Sequence, residues 1–350
     1  MAPRTAIGLD IGTSVVRAAE LSFGRAGITL ERFGQVVLPE GAVRDGEVVD
    51  PEPVVESLRQ LWAATGFSHK RVVMGVANQR MIVRQLELPW MEQSELRDSL
   101  AFHVADFLPI PVDAAVLDFF PLEEGTDEGG ARLLRGLLVA AARDTVLANV
   151  RCAERAGLSC QSVDLTSFAV LRSMGRQSGM DVETEALIDV GARVTNIVVH
   201  SSGVPRFVRI MLMGGQDVTD AVADRLGIPT SEAEAMKQQV ALLGASEEFG
   251  AVSQAMTSTA QDFVDEIRGS LDYYGASTPS HPVERILLCG GGSRLDGLRE
   301  RLASATRLPV VEGDPFTTMR IGSTGLDDDQ LDFVKPLAAV PVGLALGAIR

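Results

Sequence analysis

The segment Ile7-Gly8-Leu9-Asp10-Ile11-Gly12-Thr13-Ser14-Val15 decides the fold, because its pattern returns in Ala186-Leu187-Ile188-Asp189-Val190-Gly191-Ala192-Arg193-Val194-Thr195-Asn196. In each copy a hydrophobic strand ends in Asp-x-Gly, a corner of small or polar residues follows, and a second strand begins, which is typical of a β-hairpin. A third strand and a helix follow each copy in the same order. The repetition predicts an internal duplication of a β-β-β-α-β unit, and hence an α/β protein with two related lobes.

A separate block between the two copies covers residues 80–157. It contains a strand, a helix that ends at Pro109-Ile110-Pro111, two strands joined by an acidic Gly-rich loop, and a second helix that Asp144 would cap. This order predicts a small β-α-β-β-α module inserted into the first lobe.

The second lobe also carries an insertion, which the sequence predicts to be helical. Ser231 and Glu234 have the spacing of a capping box, ahead of a helix that Gly244 would close. A longer amphipathic helix is predicted over residues 252–274.

The composition excludes several classes of function. The 350 residues are 46% hydrophobic, which predicts about two packed domains rather than a disordered chain. A net charge of −15 argues against a nucleic-acid partner, although a nucleotide needs only local donors. Three cysteines without a Cys-x-x-Cys pair favour a reducing compartment. The longest apolar run, residues 337–349, is shorter than the ~20 residues of a membrane span, so we expect a soluble, cytoplasmic protein.

The two hairpins contain the residue types that hold a nucleoside triphosphate. Backbone N–H groups in tight turns bind phosphate oxygens, and glycine permits their close approach. Asp10 and Asp189 stand at corresponding strand ends, so in a two-lobed fold both would face one cleft. A pair of carboxylates there suits Mg²⁺. One such Asp alone stabilises a turn as often as it binds a ligand, whereas the pair favours the functional interpretation.

A third glycine-rich segment, Cys289-Gly290-Gly291-Gly292-Ser293, follows a predicted strand and precedes a helix predicted to begin near Leu295. Three glycines leave an open backbone surface on which a base or ribose can lie. Alone, the segment could equally be a flexible connection between the strand and the helix.

Two phosphate hairpins followed by such a segment resemble the actin/Hsp70/sugar-kinase ATPase superfamily. Within its FtsA-like branch the sequence is most similar to the PilM family of type IV pilus assembly proteins, over nearly the whole chain. The opening hairpin is shared with cell-division relatives and discriminates little. The more specific similarities are Leu88-Pro89-Trp90-Met91-Glu92-Gln93-Ser94-Glu95-Leu96, Phe107-Leu108-Pro109-Ile110-Pro111, Glu232-Ala233-Glu234-Ala235-Met236-Lys237, Asp314-Pro315-Phe316 and Ala339-Val340-Pro341-Val342-Gly343-Leu344-Ala345-Leu346.

The resemblance implies a two-lobed actin-like ATPase fold with four subdomains. They are 1A over residues 1–79 (with 158–180 and 336–350), the 1C insertion over 80–157, 2A over 181–224 (with 282–335), and 2B over 225–281.

The resemblance also implies that ATP and Mg²⁺ bind between the lobes, with Asp10 and Asp189 at the metal. By position, the nucleotide would be held by Asp10, Gly12, Thr13, Ser14, Arg17, Gly191, Arg193, Thr195, Asn196, Gly215, Glu234, Lys237, Gly290, Gly291, Ser293 and Arg294. Arg17 stands where related sequences often have lysine, which keeps the charge but changes its geometry. Asp164 is the candidate base for hydrolysis, with a purely structural Asp as the equal alternative. We expect weak or no ATPase activity.

The implied partner is a PilN-like inner-membrane protein, whose N-terminal cytoplasmic tail would bind in a groove between 1A and 1C. That contact would hold the protein at the inner face of the cytoplasmic membrane without a span of its own. Pilus motor ATPases and the platform protein are further implied partners. A helix bearing Leu96, Leu100, Val104 and Phe107 either lines this groove or packs on the 1C sheet.

Three functions compete at this point. The first is a scaffold of the type IV pilus, or of the related type II secretion machine. The second is an FtsA-like cell-division protein that binds ATP and could polymerise, although FtsA-like chains usually end in an amphipathic membrane helix. The third is a small-molecule kinase, which needs a base beside an acceptor hydroxyl that the sequence does not reveal.

Overall fold

The computed structural model describes residues 4–78, 80–175, 182–243 and 250–348. The strands in these ranges are β1 (Arg4–Ile11), β2 (Val15–Gly24), β3 (Gly27–Val37), β4 (Val43–Arg44), β5 (Glu47–Val48), β6 (Arg71–Val76), β7 (Ile82–Pro89), β8 (Ala115–Thr126), β9 (Arg132–Ala142), β10 (Ser159–Leu165), β11 (Thr184–Val190), β12 (Thr195–Ser201), β13 (Val204–Met211), β14 (Arg285–Cys289), β15 (Val310–Glu312) and β16 (Arg320–Ile321).

The helices in the same ranges are α1 (Pro51–Thr65), α2 (Gln93–Val104), α3 (Arg143–Arg155), α4 (Thr166–Met174), α5 (Gly215–Leu226), α6 (Thr230–Leu243), α7 (Gly250–Ser277), α8 (Leu298–Thr306), α9 (Asp328–Val334) and α10 (Ala339–Gly347). No helix among the described residues is long and apolar enough to cross a bilayer.

Two sheets with the same internal order form the two lobes. The first runs β10-β6-β1-β2-β3-β16 and the second β13-β12-β11-β14-β15, each with an antiparallel three-stranded half and a parallel half. The third strand of each lobe carries a bulge at the corresponding place, where the extra residue is Glu31 in β3 and Arg206 in β13. The shared order and the shared bulge confirm the predicted duplication of the β-β-β-α-β core.

The inserted module between β6 and β10 has the predicted order β7, α2, β8, β9, α3, with a sheet ordered β7-β9-β8. Leu96, Leu100 and Val104 of α2 are buried in one apolar cluster with Phe119 of β8. These three side chains therefore pack on the module's own sheet rather than line a groove. Phe107, just beyond the helix, is 42% exposed.

Helices α4 and α10 pack against each other between the two sheets and share one apolar cluster with residues of both lobes. The contact is backbone on backbone. A Cβ on Gly8 of β1 would lie 2.0 Å from the carbonyl oxygen of Pro341, and one on Gly343 would lie 1.8 Å from that of Ala169. Because no side chain fits in these places, glycine lets the last helix press directly onto the first strand and onto α4.

Aspartates stand at the N-termini of α1 and α3, but only the first of them caps its helix. Asp50 caps α1, and its carboxylate accepts the N–H of Glu52 at 3.2 Å. Asp144 does not cap α3, because the helix begins at the preceding residue; its carboxylate instead accepts the N–H of Thr145 at 2.8 Å within the first turn.

The predictions for the second lobe need two further corrections. Ser231 is not an N-cap, because α6 already begins at Thr230. The helix predicted to begin near Leu295 begins three residues later, at Leu298, because a 3₁₀ turn occupies Gly291–Arg294 and Gly297 adopts a left-handed φ of 68° directly before α8. The predicted helix end at Gly244 lies outside the described residues.

Candidate functional site

Two equivalent turns stand at the ends of β1 and β11. The N–H of Gly12 donates to the carbonyl of Val15 at 3.1 Å, and the N–H of Gly191 donates to that of Val194 at 3.0 Å. The turn residues between them (Thr13 and Ser14 in one lobe, Ala192 and Arg193 in the other) have amide N–H groups without an acceptor in the part of the chain that the structure describes. Unpaired N–H groups in a tight turn are suited to bind an anion.

Asp10, Arg17 and Asp189 lie close enough to perturb one another. Arg17 is the cross-strand neighbour of Asp10 in the β1–β2 hairpin. Burial raises the pKa of Asp10 to about 6, while the charge of Arg17 lowers it and the charge of Asp189 raises it. Burial also lowers the pKa of Arg17, and both carboxylates counter that effect. The structure therefore brings the two aspartates, 179 positions apart in the sequence, close to one guanidinium, at the place where the sequence predicts a cleft.

Asp189 is buried and held by a polar network. The amide of Asn196 donates to its carboxylate at 3.1 Å, and the Asn196 oxygen accepts the hydroxyls of Thr166 and Ser167 at 3.1 and 2.8 Å. The Cys289 thiol contacts the other carboxylate oxygen at 3.9 Å. Burial raises the pKa of Asp189, an effect that Asn196 and then Arg17 reduce. Burial raises the pKa of Cys289 too, so the thiol stays protonated and can act as a donor.

The sequence analysis missed Thr166 and Ser167, whose hydroxyls hold Asn196 in the network around Asp189. They are the first two residues of α4, directly after β10. Two adjacent hydroxyl residues between a strand and a helix were the available signal. They link the connecting helix α4 to the carboxylate of the second hairpin.

The glycine segment packs tightly on one side and leaves space on the other. Gly290 has φ +83°, and a Cβ there would lie 2.6 Å from a carboxylate oxygen of Asp189. A Cβ on Gly291 would meet nothing nearer than 3.7 Å, and Arg17 would lie 4.0 Å away. Ser293 closes the turn through its hydroxyl, which donates to the Gly290 carbonyl at 2.7 Å. The segment thus lies beside Asp189 and Arg17, and the absence of a side chain at Gly290 avoids a clash with the Asp189 carboxylate.

A second group of predicted residues meets at the start of α5. The ammonium of Lys237 donates to the Gly215 carbonyl at 2.9 Å and to the Thr219 hydroxyl at 2.7 Å, and it pairs with Glu234 at 2.6 Å. Burial alone would raise the pKa of Glu234, but the hydrogen bonds from Lys237 and Thr219 outweigh it and lower that pKa. A Cβ on Gly215 would lie 3.8 Å from the Cα of Gly292, so this group adjoins the glycine segment.

Four predicted site residues have other partners. Arg193 is paired with Asp217 at 2.8 Å and with Asp220. The Thr195 hydroxyl is buried and donates to the Met213 carbonyl at 2.7 Å. The guanidinium of Arg294 lies 3.9 Å above the ring of Phe333. The carboxylate of Asp164 pairs with Arg172 and accepts the N–H of Leu165 at 2.8 Å.

These contacts have different consequences for the predicted roles. The guanidinium of Arg193 is paired with two carboxylates of α5, so a contact with an anion would require it to leave them, whereas its backbone N–H has no acceptor among the described residues. A base role for Asp164 stays a prediction, and it would require the carboxylate to leave Arg172. Among the described residues no group of three His, Cys, Asp or Glu side chains could hold a metal ion. A cation in this cleft would therefore have two carboxylates, with its other ligands supplied by the nucleotide and water.

The chain matches the family model described as "Type IV pilus assembly protein PilM" over residues 8–349. Among curated relatives it is 25% identical to the cell division protein FtsA of Bacillus subtilis over 256 residues, which is 67% of this chain and 57% of FtsA. The chain therefore spans little more than half the length of that relative.

Solved structures show the same fold. A PilM-PilN type IV pilus biogenesis complex matches with a TM-score of 0.86 and 24% identity, covering 99% of this chain and 98% of the other. The structure of MreB5 of Spiroplasma citri bound to ADP matches with a TM-score of 0.54 and 12% identity, over 98% and 95% of the two chains. The likeness confirms the predicted two-lobed actin-like fold.

Proposed function

Because the chain belongs to the family of the type IV pilus assembly protein PilM, we propose that it is an ATP-binding scaffold of the pilus, or of a related type II secretion machine. The observation that carries the nucleotide part is the meeting of Asp10 and Asp189 around Arg17 in one cleft. Its fold neighbour MreB5 binds ADP. The proposed function has two parts: the cleft binds a nucleotide, and the inserted module binds a partner protein.

The residues of the cleft fit ATP with Mg²⁺ by their chemistry. Asp10 and Asp189 would hold the cation, and the two turns with unpaired N–H groups would hold phosphate oxygens together with Arg17. The open face of Gly291 gives the sugar or base a place to lie beside Gly215. Mg²⁺, when bound, would neutralise part of the charge of the triphosphate, and the residues of the chain would position the nucleotide.

The geometry favours binding over turnover. Hydrolysis needs a group that can orient water beside the terminal phosphate. The best candidate, Asp164, is engaged by Arg172. We therefore propose weak or absent ATPase activity. In this proposal the nucleotide acts as a bound ligand that fixes the relative orientation of the two lobes.

The inserted module, 1C, is the proposed attachment point for a membrane partner. The matching solved structure contains PilN as well as PilM, and we propose that a PilN-like protein places its N-terminal cytoplasmic tail between 1A and 1C of this chain. That contact would hold the protein peripherally at the inner face of the cytoplasmic membrane. Pilus motor ATPases and the platform protein are proposed as further partners of the same assembly.

Two titrations test the proposal. Calorimetry with ATP and Mg²⁺ should show binding that Asp189→Asn weakens at least about ten-fold, whereas Asp272→Asn, the same change on the exposed side of α7, should leave it unaltered. Equal affinity in both variants would refute the cleft assignment.

The second titration uses a synthetic peptide with the N-terminal sequence of the PilN-like protein encoded nearest this gene. It should bind, and a scrambled peptide of the same composition should not. Absence of binding, with ATP binding intact, would favour the FtsA-like cell-division function instead.

A further inference from the structure

Strand β13 forms one edge of the sheet of the second lobe. It pairs with β12 on one side, and no other strand of the described residues pairs with its outer side. The outer side nevertheless offers hydrogen bonds, because the carbonyl of the bulge residue Arg206 accepts the side-chain amide of Gln85 at 2.8 Å. An edge with free backbone groups can accept an added strand.

The first lobe shows that this kind of edge does take an added strand. Its equivalent strand β3 is covered beside the bulge by β16, where Arg320 and Ile321 lie opposite Thr29 and Leu30 in parallel. The N–H of Gly322 continues the pairing and donates to the Leu30 carbonyl at 2.8 Å. Beside the corresponding end of β13 lies β7, which carries Gln85, and the C-terminal part of β13 lines a groove.

This groove, which we call the β13–α7 groove, has a volume of about 610 Å³. It is lined by residues 209–213 and by Asp262, Asp265 and Glu266 on one face of α7. Two aromatic side chains adjoin these residues on the same strand and helix. The ring centroid of Phe207 lies 6.1 Å from that of Tyr273, and Tyr273 is 65% exposed. An extended chain laid along the strand would run between the strand edge and this helix.

The charges of the groove indicate the charge of its partner. Three carboxylates and one guanidinium line it, and Arg209 contacts Glu266 at 3.6 Å. A second copy of this chain would bring a net charge of −15 to the contact. An acidic groove on an acidic protein therefore favours a basic partner over self-association.

We propose that the outer edge of β13 in the β13–α7 groove accepts an extended, basic peptide segment of a partner protein as an additional strand. Phe207, Arg209 and Met211 of β13 lie on the side of α7, since they contact Tyr273, Glu266 and the α7 core respectively. Alternate residues of the added strand therefore face the carboxylates and are basic. The residues between them face the apolar side, where Val208 and Ile210 pack, and are apolar.

The probe is a fluorescent hexapeptide in which lysine and valine alternate, titrated against the full chain by fluorescence anisotropy. It should bind, and the Asp262→Lys/Asp265→Lys variant should weaken binding by about ten-fold or more. Asp272→Lys, which reverses one charge on α7 outside the groove, should leave the affinity within about two-fold. Failure of the peptide to bind, or an equal loss in both variants, would overturn the proposal.

Backbone methylation of the peptide tests the strand geometry without altering the protein. In an added strand alternate N–H groups point towards β13, so methylating one alternate set should abolish binding and methylating the other set should preserve it. Equal binding of the two methylated peptides would show simple charge attraction and would refute strand addition. None of these measurements depends on nucleotide or on the PilN-like peptide, so they test this groove separately from the cleft.

Discussion

Replacing Asp10 by asparagine should stabilise the nucleotide-free protein above pH 6. In the folded protein burial raises the pKa of Asp10 from the ordinary value of 3.8 to about 6, against the opposing charge of Arg17. Between these two pH values the folded chain keeps a proton that the unfolded chain has lost. The free energy of unfolding therefore falls as the pH rises from about 4 to about 6, and the full penalty persists above that range.

The size of this effect follows from the difference between the two pKa values. About two pK units correspond to about 3 kcal/mol. Asparagine resembles the protonated acid in shape and carries no charge, so Asp10→Asn should gain up to that amount at pH 7.5 and almost nothing at pH 4. With an unfolding entropy of about 2.1 cal/mol/K per residue, the gain corresponds to a rise of about 4 °C in Tm.

Differential scanning calorimetry between pH 4 and pH 8 measures the effect, as the difference between variant and wild type at each pH. Asp272→Asn serves as the control, because this residue is exposed and its replacement should shift Tm equally little at every pH. A lower Tm for Asp10→Asn at pH 7.5, or a shift that does not change with pH, would refute the argument that the buried carboxylate is destabilising.

Three other changes test the packing and the site. Asn196→Ala removes the amide partner of the Asp189 carboxylate and of both hydroxyls, and it should lower the free energy of unfolding by about 3 kcal/mol in urea titrations; a loss below about 1 kcal/mol would contradict the network. Gly8→Ala should prevent stable folding, whereas Gly269→Ala, in open space within α7, should stabilise by about 1 kcal/mol, both read by thermal melting. Arg193→Met should lower stability by about 1 kcal/mol, because its ion pairs are partly exposed, and should change ATP affinity in calorimetry by less than about three-fold; a larger loss of affinity would show that its guanidinium reaches the nucleotide.

The sequence predicts the duplicated core well because that core depends on local patterns. Each hairpin is encoded by two hydrophobic strands around one Asp-x-Gly corner, and the two copies support each other. The proximity of Asp10 and Asp189 could be predicted because they stand at equivalent strand ends of the two lobes. Those inferences needed no knowledge of any individual side-chain contact.

The roles of single polar side chains could not be predicted in the same way. The spacing of Ser231 and Glu234 fits a capping box, yet Glu234 pairs with Lys237 and Thr219 from the middle of α6. Arg193 looks like a phosphate ligand by position, but two carboxylates of α5 hold it. In both cases the deciding partner comes from tertiary packing, which overrides a local signal.

The insertion of α10 beneath β1 has a consequence for synthesis on the ribosome. The second sheet is complete once residue 312 has emerged, whereas the first needs β10, β16 and the buried face of α10, although its first strand leaves the tunnel earliest. Closing contacts across nearly the full length of the chain is slow. The lobe that is translated first should therefore be the last to mature, and until then its nascent strands need shielding from aggregation.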